Sequence, residues 1–492
     1  MEEVAQPEVK PDAASALVEE AFEGRFAVTK DLRWLLTWDV VGQCWMNEYL
    51  VPYPQTEVIV FPTDCRTPSA AKQTIASMRI DAKGRAHDDA LKLLEQPDLW
   101  NIADQEIGVR VKEDSDGRQA AFAIMLTGFL PKPAHLMLLG STAIGKTWLA
   151  KSCSAFLPPE SVIVLGSSTE RAWFYFGDPV YKPHPVIPKK EIIDYYRIDW
   201  RNKIVIILDN VRPDTVKDLK PIMSHDSPEI DLQTTERTQG GRFRTRRVKT
   251  IGCPAFINCS TWLQWDAELT SRHYYLTPKD TQEKFQAAAD LLDQEYLTGS
   301  VPTSTMIPII QDAIRYLISR ELSVVIHPSV IAKLRENFTW TSGRDVRDYE
   351  RAATIIQAIA WFHALQRERN EHCAIIADER DLQIAEKFLP TLLRTSHYGT
   401  SSQVLDYYER VLKPLADSGE LHEGQPILRD LSQNEIRSKY TNVYHRTITR
   451  FDLYEYNKVL ESLNLIELIK DPEDKRRRLV RLTRTDPQKR LP

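Results

Sequence analysis

The chain lacks most of the features that assign a protein quickly. Its six cysteines, Cys44, Cys65, Cys153, Cys253, Cys259 and Cys373, form no CxxC pair and stand in no His/Cys metal spacing. That excludes reading a zinc or redox motif from spacing and fits reduced, mostly buried thiols in a cytoplasmic protein. No stretch approaches the roughly 18 unbroken apolar residues of a membrane span, and the acidic N-terminus has no apolar h-region, so no membrane is expected. Internal repeats and low-complexity tracts are absent. With a net charge of −5 the overall balance names no partner. What remains is ordinary globular material, 42% apolar and 27% charged, and its 492 residues are too many for one core. Two to four domains are expected.

The pattern along the chain divides it. Residues 1–24 carry seven acids against one lysine and read as a solvated acidic tail. Residues 25–87 hold aromatic and β-branched runs (Trp34–Trp38, Val58–Phe61) and suggest a small α/β module. Residues 88–127 have apolar positions three or four apart and read as helical. His135–Leu139, Ser161–Leu165, Lys203–Leu208 and Ala255–Asn258 are short continuous apolar runs, as in parallel strands buried on both faces. Strands alternating with helices predict an α/β core over 88–285. Helical periodicity then predicts a lid over 286–395, with long helices at Asp345–Arg367 and Asp378–Leu393. Residues 396–425 read as a connector. Residues 426–484 read as three helices followed by two strands with a charged turn.

The strongest motif is Gly140-Ser141-Thr142-Ala143-Ile144-Gly145-Lys146-Thr147, which matches the phosphate-binding pattern G-x-x-x-x-G-K-[ST] at every fixed position. The glycines let backbone N–H groups close around phosphate oxygens. Lys146 can reach the β/γ-phosphates, and the Thr147 hydroxyl can ligate Mg²⁺. The following helix directs its positive end at the anion. ATP and Mg²⁺ are the expected cofactors. Asp209 ends the run 203–208 and suits a carboxylate that holds Mg²⁺ through water. Next to it, Asn210 can orient a water but cannot accept its proton. Asp226 is a distant substitute for that role.

Residues 229–252 alternate around Gly240-Gly241, a pair favoured in β-hairpin turns. From Arg237 to Lys249 the stretch holds Arg237, Arg242, Arg244, Arg246, Arg247 and Lys249 with no acid. Six like charges on thirteen residues repel one another unless neutralised, which points to a polyanion; a solvated basic hairpin is the plainer reading. Asn258, read as ending its strand beside the γ-phosphate, could orient the attacking water. Arg272 follows shortly, where an arginine can project from one subunit into the nucleotide of the next.

This order of motifs resembles the AAA+ helicases, and looks closest to the minichromosome-maintenance proteins and related helicases of viruses and plasmids. The resemblance covers roughly residues 88–395. It implies a P-loop AAA+ domain with a parallel sheet and helical lid, and a hairpin 229–252 that lines a central pore and grips DNA. It implies a trans-acting finger at Ser271-Arg272 and a sensor-2 arginine at Arg347, with Asp209, Asn258 and Arg347 acting in cis. Asn210 departs from the family's usual acidic residue. Residues 1–80 hold neither a zinc-ligand set nor chain enough for the family's collar.

Residues 426–492 resemble a winged-helix domain. Its recognition helix would be 449–463, carrying Arg450, Tyr454, Tyr456 and Lys458, and the wing tip would hold Lys475, Arg476, Arg477 and Arg478 for duplex DNA. The reading is therefore an ATP-driven DNA helicase or translocase with single-stranded DNA in the pore. A finger acting in trans implies head-to-tail packing and a homo-oligomeric ring, by analogy a hexamer. The competing reading is a DNA-binding initiator or loader that uses the same parts as a switch.

Overall fold

The computed structural model describes residues 26–29, 35–39, 44–46, 52–53, 58–60 and 88–483, apart from 168–171, 184–190, 210–218, 226, 238–242, 262–266, 339, 342, 423–424 and 473–476. It divides into two units, 1–91 and 92–492. In the first, β1 (Phe26–Thr29), β2 (Leu35–Asp39), β3 (Cys44–Met46), β4 (Pro52–Tyr53) and β5 (Val58–Val60) form an antiparallel sheet in the order β4-β3-β2-β1-β5. The aromatic and β-branched runs supply these strands, and Ala27, Leu36 and Trp45 are fully buried.

The second unit is mixed α/β around a parallel sheet. Helices α1 (Leu99–Gly108) and α2 (Ser115–Leu126) precede β6 (His135–Leu139), whose five residues are all buried. The chain continues through α3 (Lys146–Ser154) into β7 (Val162–Leu165). Two further strands, β8 (Asp178–Pro183) and β9 (Glu191–Asp199), come before β10 (Ile204–Ile207). A hairpin of β11 (Glu229–Arg237) and β12 (Phe243–Ile251) follows. Then come β13 (Ala255–Ser260), the short α4 (Ala267–Thr270) and β14 (His273–Leu276).

The central sheet has the order β14-β6-β13-β10-β7, with every pairing parallel. Its four expected strands are joined by β14, whose His-Tyr-Tyr-Leu sequence gave no strand signal. Helix α2 packs on α3 and on β6 and β13, so it covers the loop-bearing helix and the sheet together. Parallel strands covered this way must be apolar on both sides, which is why β6, β10, β13 and β14 are buried throughout.

The hairpin does not stand alone. It continues a second sheet in the order β11-β12-β9-β8, where β9 runs parallel to β12 and β8 antiparallel to β9. One face, with Val248, Ile198, Ile230 and Leu232, packs into a core with Trp173, Trp200 and Phe256.

The helical region that follows begins with α5 (Gln282–Thr298) and α6 (Ile307–Ser319). It continues through β15 (Val324–Ile326), α7 (Pro328–Glu336), α8 (Gly343–Phe362), β16 (Ile375–Ala377), α9 (Glu379–Glu386) and α10 (Leu389–Tyr398). The expected Asp378–Leu393 helix is two helices. Asp378 and Asp381 form a capping box that starts the first, and Pro390 opens the second. A buried Arg367–Asp381 pair (2.7 Å) ties the segment after α8, which ends at Phe362 short of the expected Arg367, to α9.

Residues 396–425 are not a connector. Helix α11 (Ser402–Tyr407) and the helical turns to Ala416 share one core with the chain from Leu431 to Leu482. Strands β17 (Asp417–His422) and β18 (Gln425–Leu428) follow. Then come α12 (Gln433–Tyr444), α13 (Arg450–Ser462) and an antiparallel pair, β19 (Ile466–Lys470) and β20 (Arg478–Leu482). The first of the three expected helices lies before residue 426, because Tyr407, Val411 and Leu412 complete the apolar core that α12 and α13 need.

Candidate functional site

The loop 140–147 joins β6 to α3 at the C-terminal edge of the parallel sheet, where ligands of open α/β folds bind. Gly145 caps α3 with φ +96° and Ala143 takes φ +65°, so the loop turns through left-handed backbone at both residues. Lys146 Nζ donates to the carbonyls of Gly140 (2.8 Å) and Ser141 (2.7 Å), and burial lowers its pKa. The Thr147 side chain hydrogen-bonds the Cys259 thiol, and burial pushes that thiol up to about 11 against the nearby Lys146 charge.

Strand β13 lies between the loop's strand and Asp209's strand. Its register pairs Asn258 with Met137 and Ile207, and Ser260 with Leu139. Asp209, two residues past β10, is therefore level with Ser260 and with the last residue before the loop. Asn258 does not end its strand as expected. It sits two residues below that edge, fully buried, with its Nδ2 donating to His273 Nε2 (3.2 Å). Cys259 faces Thr147, so by strand alternation Asn258 points to the other side of the sheet. The polar residues of β13 at loop height are Ser260 and the adjoining Thr261.

Arg272 and Arg347 come together at the opposite edge. His273 opens β14 opposite His135, the first residue of β6, so Arg272 lies at the N-terminal edge of the sheet. From there to Thr277, whose side chain flanks Gly140, is five residues, about 16 Å of strand. Arg347 Nη1 donates to Ser271 Oγ (2.7 Å). The expected placement of Arg347 at its own chain's loop is corrected: the contact fixes it beside Arg272. Arg344, which sequence reasoning passed over, lies near Thr270 and Gly399 with burial lowering its pKa.

The same edge gathers His135, His225 and Cys253 within 4.8 Å of one another. The Phe256 N–H donates to His135 Nδ1 (3.3 Å). A neutral ring then keeps its proton on Nε2, and a protonated nitrogen cannot ligate. The Arg272 charge bears on all three groups, which also opposes a cation there. His135 is held well below its usual pKa and His273 down at about 3, both mainly by burial.

The basic hairpin is less free than its charge suggested. Its register sets acids of β11 beside the bases of β12. Arg244 pairs with Glu236, Arg247 with Asp231 (2.5 Å) and Lys249 with Glu229 (3.0 Å). Arg246 is buried between the rings of Tyr175 and Tyr196, and bonds Phe174 O (2.9 Å) and Glu236 (3.3 Å). The expectation of unneutralised charge is thus corrected for these four. Phe243 beside the turn is 75% exposed. Arg242, the Arg237 side chain, Asn210, Asp226, Lys475 and Arg476 lie outside the described residues.

On α13, Arg450, Tyr454 and Lys458 are exposed at a spacing of four, joined by exposed Phe451. Tyr456 instead packs against Tyr407 (5.5 Å), so it belongs to the core. Arg477 and Arg478 are exposed. Among the described residues no helix is long and apolar enough to cross a membrane. No protein-family model matches the chain, and a search of curated proteins finds no match.

Proposed function

We propose that the protein is a Mg²⁺-dependent ATPase of the AAA+ type that works on DNA as a ring of identical subunits. The observation that carries this is the division of charged groups between the two edges of the parallel sheet. Lys146, Thr147 and Asp209 gather at one edge, as phosphate and Mg²⁺ require. Arg272 and Arg347 gather at the other, about 16 Å of strand away, where they cannot serve their own chain's nucleotide. A head-to-tail neighbour brings the two edges together, and repetition of that contact closes a ring. Both arginines then act in trans.

The DNA part rests on the C-terminal module. Three helices followed by a β-hairpin are the order of a winged helix, and the exposed Arg450, Phe451, Tyr454 and Lys458 line one helix face as a groove reader would. ATPase activity measured with and without single-stranded and forked DNA tests this reading. A turnover rate indifferent to both, with no unwinding of the fork, sinks the helicase. The initiator or loader reading is favoured by one observation: the carboxylate partners of Arg244, Arg246, Arg247 and Lys249 leave the hairpin less charge for DNA. Specific duplex binding that depends on Arg450 and Arg477, without unwinding, is its signature.

A further inference from the structure

The segment between β14 and α5 runs along the phosphate loop. At its start the Thr277 methyl lies 3.1 Å from where a Cβ on Gly140 would stand. At its end Lys284 Nζ lies 3.9 Å from the same position on Gly145. Both glycines of the motif are therefore flanked by this one stretch. In its middle Asp280 is largely buried, its side chain 13% exposed. A carboxylate in that place has to be held by donors.

Those donors come from the C-terminal module, 123 and 166 residues further along the chain. Arg446 donates Nη1 (2.7 Å) and Nη2 (2.5 Å) to the two carboxylate oxygens, a planar fork on a planar acceptor. Gln403 Nε2 donates to Oδ2 (2.7 Å). The other end of the same amide, Oε1, faces Gly140, 3.6 Å from the position of a Cβ. The Ser402 N–H adds a bond to Thr277 Oγ1 (3.3 Å). Gln403 belongs to α11 and Arg446 to the turn between α12 and α13, and these three helices share one apolar core.

We infer that Arg446, Asp280 and Gln403 form a brace by which the C-terminal module holds the phosphate loop in its binding shape; the inference rests on the nucleotide-binding reading above. None of the three belongs to the loop, so they act through it as positioning residues. A loop that cradles an anion with its backbone gains affinity when its shape is fixed before the anion arrives. Its glycines have no side chains to pack, so that stiffness has to come from neighbours. Segment 277–284 is such a neighbour, and Asp280 is where the module anchors it. The turn carrying Arg446 leads directly into α13, so the loop and the helix proposed to meet DNA share one anchor. Arg429 offers a contrast, since it pairs with Glu435 (2.6 Å) and both partners lie inside the module.

Calorimetric titration of the full-length protein with ATP and with inorganic tripolyphosphate, each with Mg²⁺, tests the brace. Arg446→Ala and Asp280→Asn should each weaken both ligands about tenfold, the worth of a charge-assisted hydrogen bond. The double variant should be no weaker than either single one, because residues of one network do not add. Arg446→Lys should return to within about threefold of the wild type, since it keeps the charge and loses the fork. In steady-state turnover the loss should fall on KM, with kcat held within about twofold. Arg429→Ala should leave both affinities unchanged. Affinities unmoved in Arg446→Ala and Asp280→Asn, additive losses in the double variant, or an equal loss in Arg429→Ala overturns the brace and leaves the phosphate loop standing. Failure of the wild type to bind either ligand, or binding that survives Lys146→Ala unchanged, overturns the nucleotide reading itself.

Discussion

The two edges of the central sheet are built from the same five strands and hold opposite chemistry. At the C-terminal edge lie a glycine-bearing loop, a lysine, a hydroxyl and a carboxylate, which the proposed reading assigns to a metal–polyphosphate. The N-terminal edge carries Arg272 and Arg347 over a buried group of neutral imidazoles. On the proposed reading each edge is half of a site. The lesson is that a residue's role in such a fold depends on which end of a strand it occupies, because five residues of strand exceed the reach of any side chain.

The sharpest break of this comparison is Lys146→Ala, which should remove measurable turnover, since no other described lysine is bonded into the loop. Arg272→Ala should cut turnover about 10³-fold while ATP affinity stays within about threefold; a matching loss of affinity would place Arg272 at its own nucleotide. Mixing these two inactive chains should restore part of the activity, because the intact Arg272 of one meets the intact Lys146 of the other. A mixture as inactive as its components contradicts action in trans.

Within the second sheet the contrast is between faces. Arg246→Ala, on the buried face, should cost about 1–3 kcal/mol in a denaturation experiment, as it strips the partner from buried groups. Arg247→Ala, on the exposed face, should cost less than about 1 kcal/mol. Equal costs would mean that the inward face is not a core.

A further expected effect is one of pH. His135 and His273 are neutral in the fold, with His273 near 3 against an ordinary value of 6.5. The unfolded chain therefore binds more protons between those values, and stability is lost as pH falls below 6.5 and continues to fall toward 3. The melting temperature should drop over that range. A flat profile between pH 7 and 5 would show the N-terminal edge to be open to solvent.

Much of the α/β core was legible because its strands are apolar throughout, and a strand buried on both faces needs no partner to be recognised. Strands β8, β9 and β14 were missed for the opposite reason. Tyr and Asp are their commonest polar residues, and their strand character comes from pairing, β8 with β9, β9 with β12 and β14 with β6. The helix of 402–416 was read as a connector because its apolar residues have no purpose until α12 and α13 fold over them.

The sequence by itself determined the loop 140–147, since its glycines, lysine and threonine act through local backbone geometry that eight consecutive residues contain. It also determined the carboxylate two residues past β10 and the exposed Arg450, Tyr454 and Lys458 of α13, but not the inward turn of Tyr456. Tertiary structure alone decided that Arg347 joins Arg272 and not the loop, that Asn258 turns away from Thr147, and that the hairpin's arginines meet Glu229, Asp231 and Glu236. It alone brought Arg446 and Gln403 to Asp280 beside the loop. Each of these is a meeting of residues distant in the chain or set across a pairing register, and charge or polarity has no direction until packing supplies the neighbour.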